Sequence, residues 1–293
     1  MAETGGEQWS TAISASDRGP LVTIAAGLML VAMVLFLGFR LTIRWPWAKL
    51  IGWDDWATML GSLFACGQSI AVFVAIDRGL GVHRSDLSVE QSMEAWHALY
   101  ASDVISIVAL TGSKLAVSLL LLRLSTYKQH IYAARVITGL IITWGARADV
   151  RGAWIGLGAL SILLEVALFV LPCFLVWNLK MKLSAKITVI VGFAFRIPAS
   201  GLALARVLAV VKMLSAEDGQ VDIDFTWDYV LPTIYTSVEM HYSLMAATIP
   251  CMHLFLRQFS TGKCGLTRPL LEPELTKDSQ VIWVQPMSNY TGP

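Results

Sequence analysis

Charge is what this chain has least of: Lys, Arg, Asp and Glu make up 15% of its 293 residues, where soluble domains carry about a quarter. Hydrophobic residues fill 56% of it and the mean hydropathy is +0.62, a balance that makes lipid the solvent of the fold. A net charge of +1, with no basic stripe interleaved with aromatics, excludes the electrostatic footprint of a nucleic-acid binder. Cysteine is scarce too. Cys66, Cys173 and Cys251 sit inside apolar runs and Cys264 follows the last one, so none is placed for an external disulfide. There is no Cys-x-x-Cys, and His83, His97, His130, His241 and His253 are scattered, which leaves no metal-ligand spacing. The lack of a visible internal repeat counts against an inverted-repeat transporter. The first twenty residues are acidic and polar, without the basic start and immediate apolar core of a signal peptide, so the first apolar run reads as a retained anchor.

What the chain does have is long apolar runs: Leu21 to Phe39, Trp56 to Ile76, Ala98 to Leu122, Ala153 to Trp177, Ile187 to Val211 and Tyr229 to Leu256. Each is long enough, at ~1.5 Å per helical residue, to cross ~30 Å of hydrocarbon. A seventh run, Ile131 to Trp144, is shorter and carries Arg135. With seven crossings and the N-terminus outside, twelve basic residues near span ends (among them Arg40, Lys49, Arg123, Lys180 and Arg257) fall on the cytosolic side and six outside, the direction the positive-inside rule requires. If the short run did not cross, that asymmetry would vanish. The expected architecture is therefore an all-α bundle of seven transmembrane helices with a shortened fourth, N-terminus outside and C-terminus cytosolic. Residues 1–20 form a polar tail, 21–261 the helical domain and 262–293 a disordered cytosolic tail. Trp45, Trp47, Trp53, Trp56, Trp177 and Trp227 mark interfaces, as aromatic belts do. Glu217, Asp218, Asp222, Asp224 and Asp228 gather in the last external loop, which reads as a solvated loop first and a cation or ligand vestibule second.

Several segments, WDDWATML at 53–60, GLGVH at 79–83, SKLAVSLLLLRL at 113–124, EVALFVLPCFLVWNLKMKLSAK at 165–186 and EMHYSLMAATIPCMHLF at 239–255, come in an order that resembles the fungal rhodopsin-like family of ascomycete integral membrane proteins. That family includes a satratoxin-cluster membrane protein and many neighbours of secondary-metabolite genes. The resemblance implies a seven-helix membrane protein and a link to secondary metabolism, mycotoxin biosynthesis included. There is one departure: family members have a full fourth span and a cysteine-bearing external loop, whereas here ITWGARADVRGAW joins a shortened span almost directly to the next. The family name also raises retinal. Retinal needs a lysine amine for its imine, ordinarily in the last span, and Tyr229 to Leu256 has none. The one intramembrane lysine is Lys114, a residue type that more often meets a carboxylate there. No cofactor is expected.

Ionisable side chains are costly in lipid, by about 2.5 to 3.5 kcal/mol on insertion scales, so they face the bundle interior, pair, or mark a functional path. By depth, Glu165, Arg196 and Glu239 lie near the midplane, Asp103 and Arg206 towards the outside, and Lys114 towards the cytosol with Asp54 and Asp55. On the structural reading Arg196 bridges one or both glutamates, Arg206 pairs with Asp103, and Lys114 meets Asp54 or Asp55. On the functional reading the midplane is a ligand pocket, where Tyr235, Glu239 and Tyr242 share one helical face by i, i+4, i+7 spacing and set a carboxylate between two phenols. Pro172, Pro198 and Pro250 are expected to kink their helices. Arg123 ends the third span, but neither Asp-Arg-Tyr nor Asn-Pro-x-x-Tyr accompanies it, so no G-protein coupling motif is seen. The functional expectation is a small-molecule binding or sensing protein of the lipid bilayer. The alternatives are a membrane-embedded cyclase or isomerase, protonating a lipophilic substrate from Glu165 or Glu239, and a small-molecule transporter.

Overall fold

The computed structural model describes residues 17–44, 52–124, 132, 135–141, 143, 154–177, 183–217 and 224–260. Among them the elements are helices, α1 Gly19–Arg44, α2 Trp53–Asp77, α3 Val89–Leu124, α4 Trp154–Trp177, α5 Leu183–Ala194, α6 Ile197–Glu217, the single turn α7 Phe225–Asp228, and α8 Val230–Ser260, with one isolated bridge between Asp17 and Val82. One 3-10 turn, Arg84–Asp86, leads into α3. Residues 135–141 are helical within the short apolar run, whose ends Ile131 and Trp144 lie outside the described residues, as do Trp45, Trp47 and the tail from 262 onward.

Among the described residues four stretches are long and apolar enough to cross a membrane: Gly19–Ile43, Trp53–Asp77, Val89–Arg123 and Val189–Met213. Gly158–Phe174 within α4 is a shorter apolar helix. The distribution of side chains is inside-out relative to a water-soluble bundle. Along α1, Ile24, Leu28, Val31, Leu35 and Phe39 are each more than half exposed, a stripe at helical spacing that only lipid solvates without penalty. On α4 the same holds for Leu163, Val170, Phe174 and Trp177. Lys114, Glu165, Arg196, Glu239 and Arg40 meanwhile are at most 2% exposed. Apolar residues out and charges in is the signature of a multi-pass membrane bundle.

The last helix holds the bundle together: α8 packs against α1, α2, α3, α5 and α6. Without a hydrophobic drive between helices in lipid, close approach depends on small residues. Gly61 of α2 and Gly112 of α3 meet where a Cβ added at Gly112 would lie 2.9 Å from the Gly61 Cα. At the end where α1 begins, Gly81 has φ +101, a conformation that favours glycine. A Cβ there would lie 2.3 Å from the backbone nitrogen of Gly19. That clearance lets the Arg18 N–H donate to Gly81 O at 3.0 Å while the Gly81 N–H donates to Thr226 O at 2.9 Å, so the GLGVH segment clamps the start of α1 to α7.

The run Ile187 to Val211, expected as one helix kinked at Pro198, is interrupted outright. α5 ends at Ala194, a turn occupies 195–196, and α6 begins at Ile197. Pro198 lacks an N–H and its ring crowds the carbonyl four residues earlier. Pro172 and Pro250, by contrast, sit inside unbroken helices.

Candidate functional site

The interior charges form three layers along the bundle. At the end where α1 finishes, the buried Arg40 donates through Nε to Asp55 Oδ1 at 2.9 Å, through Nη2 to Asp54 Oδ2 at 3.0 Å and through Nη1 to the Ala247 carbonyl at 2.9 Å. Arg123 approaches Asp54 at 3.5 Å, and Asp55 also accepts the Gly52 N–H at 3.0 Å. One guanidinium thus ties α1, α2 and α8 together, with the planar fork that arginine offers and lysine lacks.

The middle layer centres on Glu165 of α4. Its Oε1 accepts from Lys114 Nζ at 2.7 Å, and its Oε2 accepts from Arg196 Nε at 3.0 Å and Nη2 at 2.6 Å. Arg196 stands in the break between α5 and α6, so the interruption itself delivers the guanidinium to the interior. The break frees backbone carbonyls that lipid cannot satisfy, and the Tyr242 hydroxyl of α8 donates to Phe195 O at 3.0 Å.

Towards the end where α1 begins, Arg206 Nε donates to Glu239 Oε2 at 2.6 Å, and the Tyr229 hydroxyl donates to Asp103 Oδ2 at 2.5 Å. Beside this layer Gln68 Nε2 donates to Ser102 and Ser237 hydroxyls at 3.2 Å. His241 is fully buried. Its Nδ1 faces Ser237 O at 2.7 Å and must be the donor to that carbonyl, while Nε2 lies 3.1 Å from Ser69 Oγ.

The pairings differ from those that depth alone suggests. Arg206 meets Glu239 at hydrogen-bond range where Asp103 was expected, Lys114 meets Glu165 where Asp54 or Asp55 was expected, and those two aspartates take Arg40. Tyr242 serves a backbone carbonyl where it was expected beside the Glu239 carboxylate, and Tyr235 is half-buried on the same helix. Arg40, Gln68, Ser69 and His241 were not singled out in the sequence. For Arg40 a signal existed: it ends an apolar run just before a short connection to Asp54 and Asp55, which puts all three at one depth. Six buried polar atoms have no hydrogen-bond partner among the described residues: Gln68 Oε1, Ser113 Oγ, Ser161 Oγ, Arg196 Nη1, Glu239 Oε1 and Ser243 Oγ.

At the α1-start end, outside the spans, Asp224 is a hub. It accepts the Arg84 N–H at 3.0 Å, His83 Nδ1 at 2.9 Å and the Thr226 hydroxyl at 2.9 Å. Partial burial raises its pKa, yet these bonds and the Trp227 N–H outweigh that and hold the carboxyl below its ordinary value. His83 stacks on Trp227 with ring centroids 3.9 Å apart, and Arg18 lies 4.0 Å over that indole, a cation–π sandwich. Asp224 is therefore a structural acceptor, while Asp218 and Asp222 lie outside the described residues.

A family model described as "Fungal rhodopsin domain" matches residues 39–151 and 147–258. The two matched segments overlap at 147–151, within the sequence ITWGARADVRGAW. No curated protein and no solved structure matches the chain. Retinal does not fit the residues present. α8 contains no lysine, and the Lys114 amine is committed to an ion pair with Glu165 at 2.7 Å.

Proposed function

We propose, from the premise that the chain belongs to the fungal rhodopsin domain family, that it is a seven-helix membrane protein that binds or senses a small metabolite within its helix bundle. Its N-terminus lies outside and its C-terminus in the cytosol. The observation that carries this reading is the pair of unpartnered buried atoms in two of the three interior charge layers, a guanidinium N–H of Arg196 and a carboxylate oxygen of Glu239. Buried polar atoms almost always have partners, and in hydrocarbon nothing but another polar group supplies one. An occupant carrying polar atoms of its own completes both. Glu165, Arg196, Glu239, Tyr235 and Tyr242 are the candidate ligand-binding residues. The link to a secondary-metabolite pathway rests on the family resemblance alone, and co-regulation with adjacent biosynthetic genes is its test. For binding, the full chain is purified and its small-molecule extract analysed by mass spectrometry. A compound that co-purifies with the wild type and is depleted from Glu239→Gln is expected; extracts no different from an empty-membrane control would overturn the reading.

A second reading, a membrane-embedded acid catalyst, is favoured by the Glu239 Oε1 oxygen, which is buried and has no partner among the described residues, the placement a group exchanging a proton with a bound substrate needs. Product formed by wild-type membranes but not by Glu239→Gln membranes would establish it.

A further inference from the structure

We infer that the break between α5 and α6 holds a small anion, either a halide or the carboxylate end of a metabolite, against Arg196 Nη1. This rests on reading the bundle interior as a ligand site and narrows it to the charge of the occupant. Arg196 spends Nε and Nη2 on Glu165 Oε2, which leaves the two N–H groups of Nη1 without an acceptor in a side chain that is 1% exposed. An unsatisfied donor on a charged group in a low-dielectric interior is among the most unfavourable defects a fold can carry. Glu165 is already engaged at both oxygens, by Lys114 on one and Arg196 on the other. It answers two cations with one negative charge.

Two further unpartnered hydroxyls lie on the helices that carry the partners of this layer. Ser161 lies one helical turn before Glu165 on the same face of α4, and Ser113 adjoins Lys114 on α3. Both hydroxyls are fully buried and without partners. The 21-residue helix α6 begins at Ile197, directly after Arg196, so its N-terminal dipole, equivalent to about half a positive charge, opens into the same break. The guanidinium and the helix N-terminus both call for an acceptor bearing negative charge, and the two hydroxyls can donate to it. The close packing sets the size: a monatomic ion or a single carboxylate, not a bulky polyol acid.

The test uses the full chain in nanodiscs at constant ionic strength, with sodium gluconate replaced stepwise by chloride, bromide or acetate, and thermal stability as the readout. A saturable upward shift of the unfolding midpoint with chloride or acetate is expected. Glu165→Gln removes the competing carboxylate and should tighten binding by roughly tenfold or more. Ser161→Ala should weaken it several-fold, and Arg196→Gln should abolish it. If Arg196→Gln or Glu165→Gln, the latter expected to lose more stability, does not fold, the anion titration of the wild type still decides. Midpoints that do not change as gluconate is replaced, or weaker binding in Glu165→Gln, would overturn the inference; a water molecule as the sole occupant predicts that result. Stabilisation by a neutral or cationic compound with no anion effect would sink the inference and leave the interior ligand site standing. Saturable halide binding with no co-purifying metabolite would do the reverse.

Discussion

Glu165 and Arg196 are bound to each other, but their removal is not equivalent. Arg196→Leu leaves Glu165 with Lys114 at 2.7 Å, a pair whose charges still cancel. Glu165→Gln strands both cations in a layer at most 1% exposed, and breaking a buried pair from one side costs about 3–5 kcal/mol. Glu165→Gln is therefore expected to lower the unfolding midpoint further than Arg196→Leu, with Glu165→Gln combined with Lys114→Met recovering part of the loss; a larger loss in Arg196→Leu would contradict the assignment of Glu165 as the shared acceptor. Asp224 gives the pH dependence. Its folded pKa is depressed below the ordinary value near 3.9, so the stability it contributes is fully present above about pH 4 and is lost as pH falls through the folded value. Asp224→Asn should remove that acid-side decline from the melting curve while leaving the neutral-side profile in shape. An unaltered acid limb in Asp224→Asn would show that another carboxylate governs it.

At the scale of the helix, the contact between α2 and α3 depends on two residues without side chains. A Cβ at Gly112 meets the Gly61 Cα at 2.9 Å, whereas one at Gly27 on α1 meets nothing within 4 Å. Gly112→Ala is expected to be destabilising by about 1–3 kcal/mol, as overpacking usually is, while Gly27→Ala should be neutral or slightly stabilising through helix propensity. Thermal melts of the two variants side by side provide the check, since both make the same chemical change. The break between α5 and α6 belongs to this scale too. A proline in the first turn of α6 suits a helix start, so Pro198 begins the second half-helix as naturally as it ends the first. Tyr242 then supplies the hydrogen bond that the interrupted ladder does not.

For the molecule as a whole, the twelve-to-six distribution of basic residues predicts that a reporter fused after Pro293 lies in the cytosol. The Asn289-Tyr290-Thr291 sequon should then stay unmodified, and a glycan on Asn289 would reverse the topology. Family membership also invites a test with retinal. Because α8 has no amine and the Lys114 amine is enclosed with Glu165, protein reconstituted with retinal should gain no red-shifted visible band; a band abolished by Lys114→Ala would refute this. The inside-out bundle is consistent with both outcomes, since lipid exposure of α1 and α4 depends on neither a cofactor nor an orientation.

Sequence by itself determined the solvent and the helices. Apolar run length is a local property, and a run of twenty residues without charge has no stable home except across lipid. Depth was legible only in part: a constant rise per residue puts Glu165 and Arg196 at one level, where they meet, but it set Glu239 beside them and Lys114 beside Asp54 and Asp55, whereas Glu239 meets Arg206 and Lys114 meets Glu165. Depth is one coordinate of three. Which charge meets which depends on how each helix is rotated and how closely it approaches its neighbours, and these follow from contacts between distant segments such as Gly61 with Gly112. Hence Lys114 meets Glu165, Arg206 meets Glu239, and Arg40 serves both Asp54 and Asp55. The clamp of GLGVH on the start of α1 and on Thr226 was equally out of reach, because it is made of backbone hydrogen bonds that carry no side-chain signature. Only the tertiary structure could bring Arg196 out of a helix and into a break, where one face of its guanidinium is paired and the other is not.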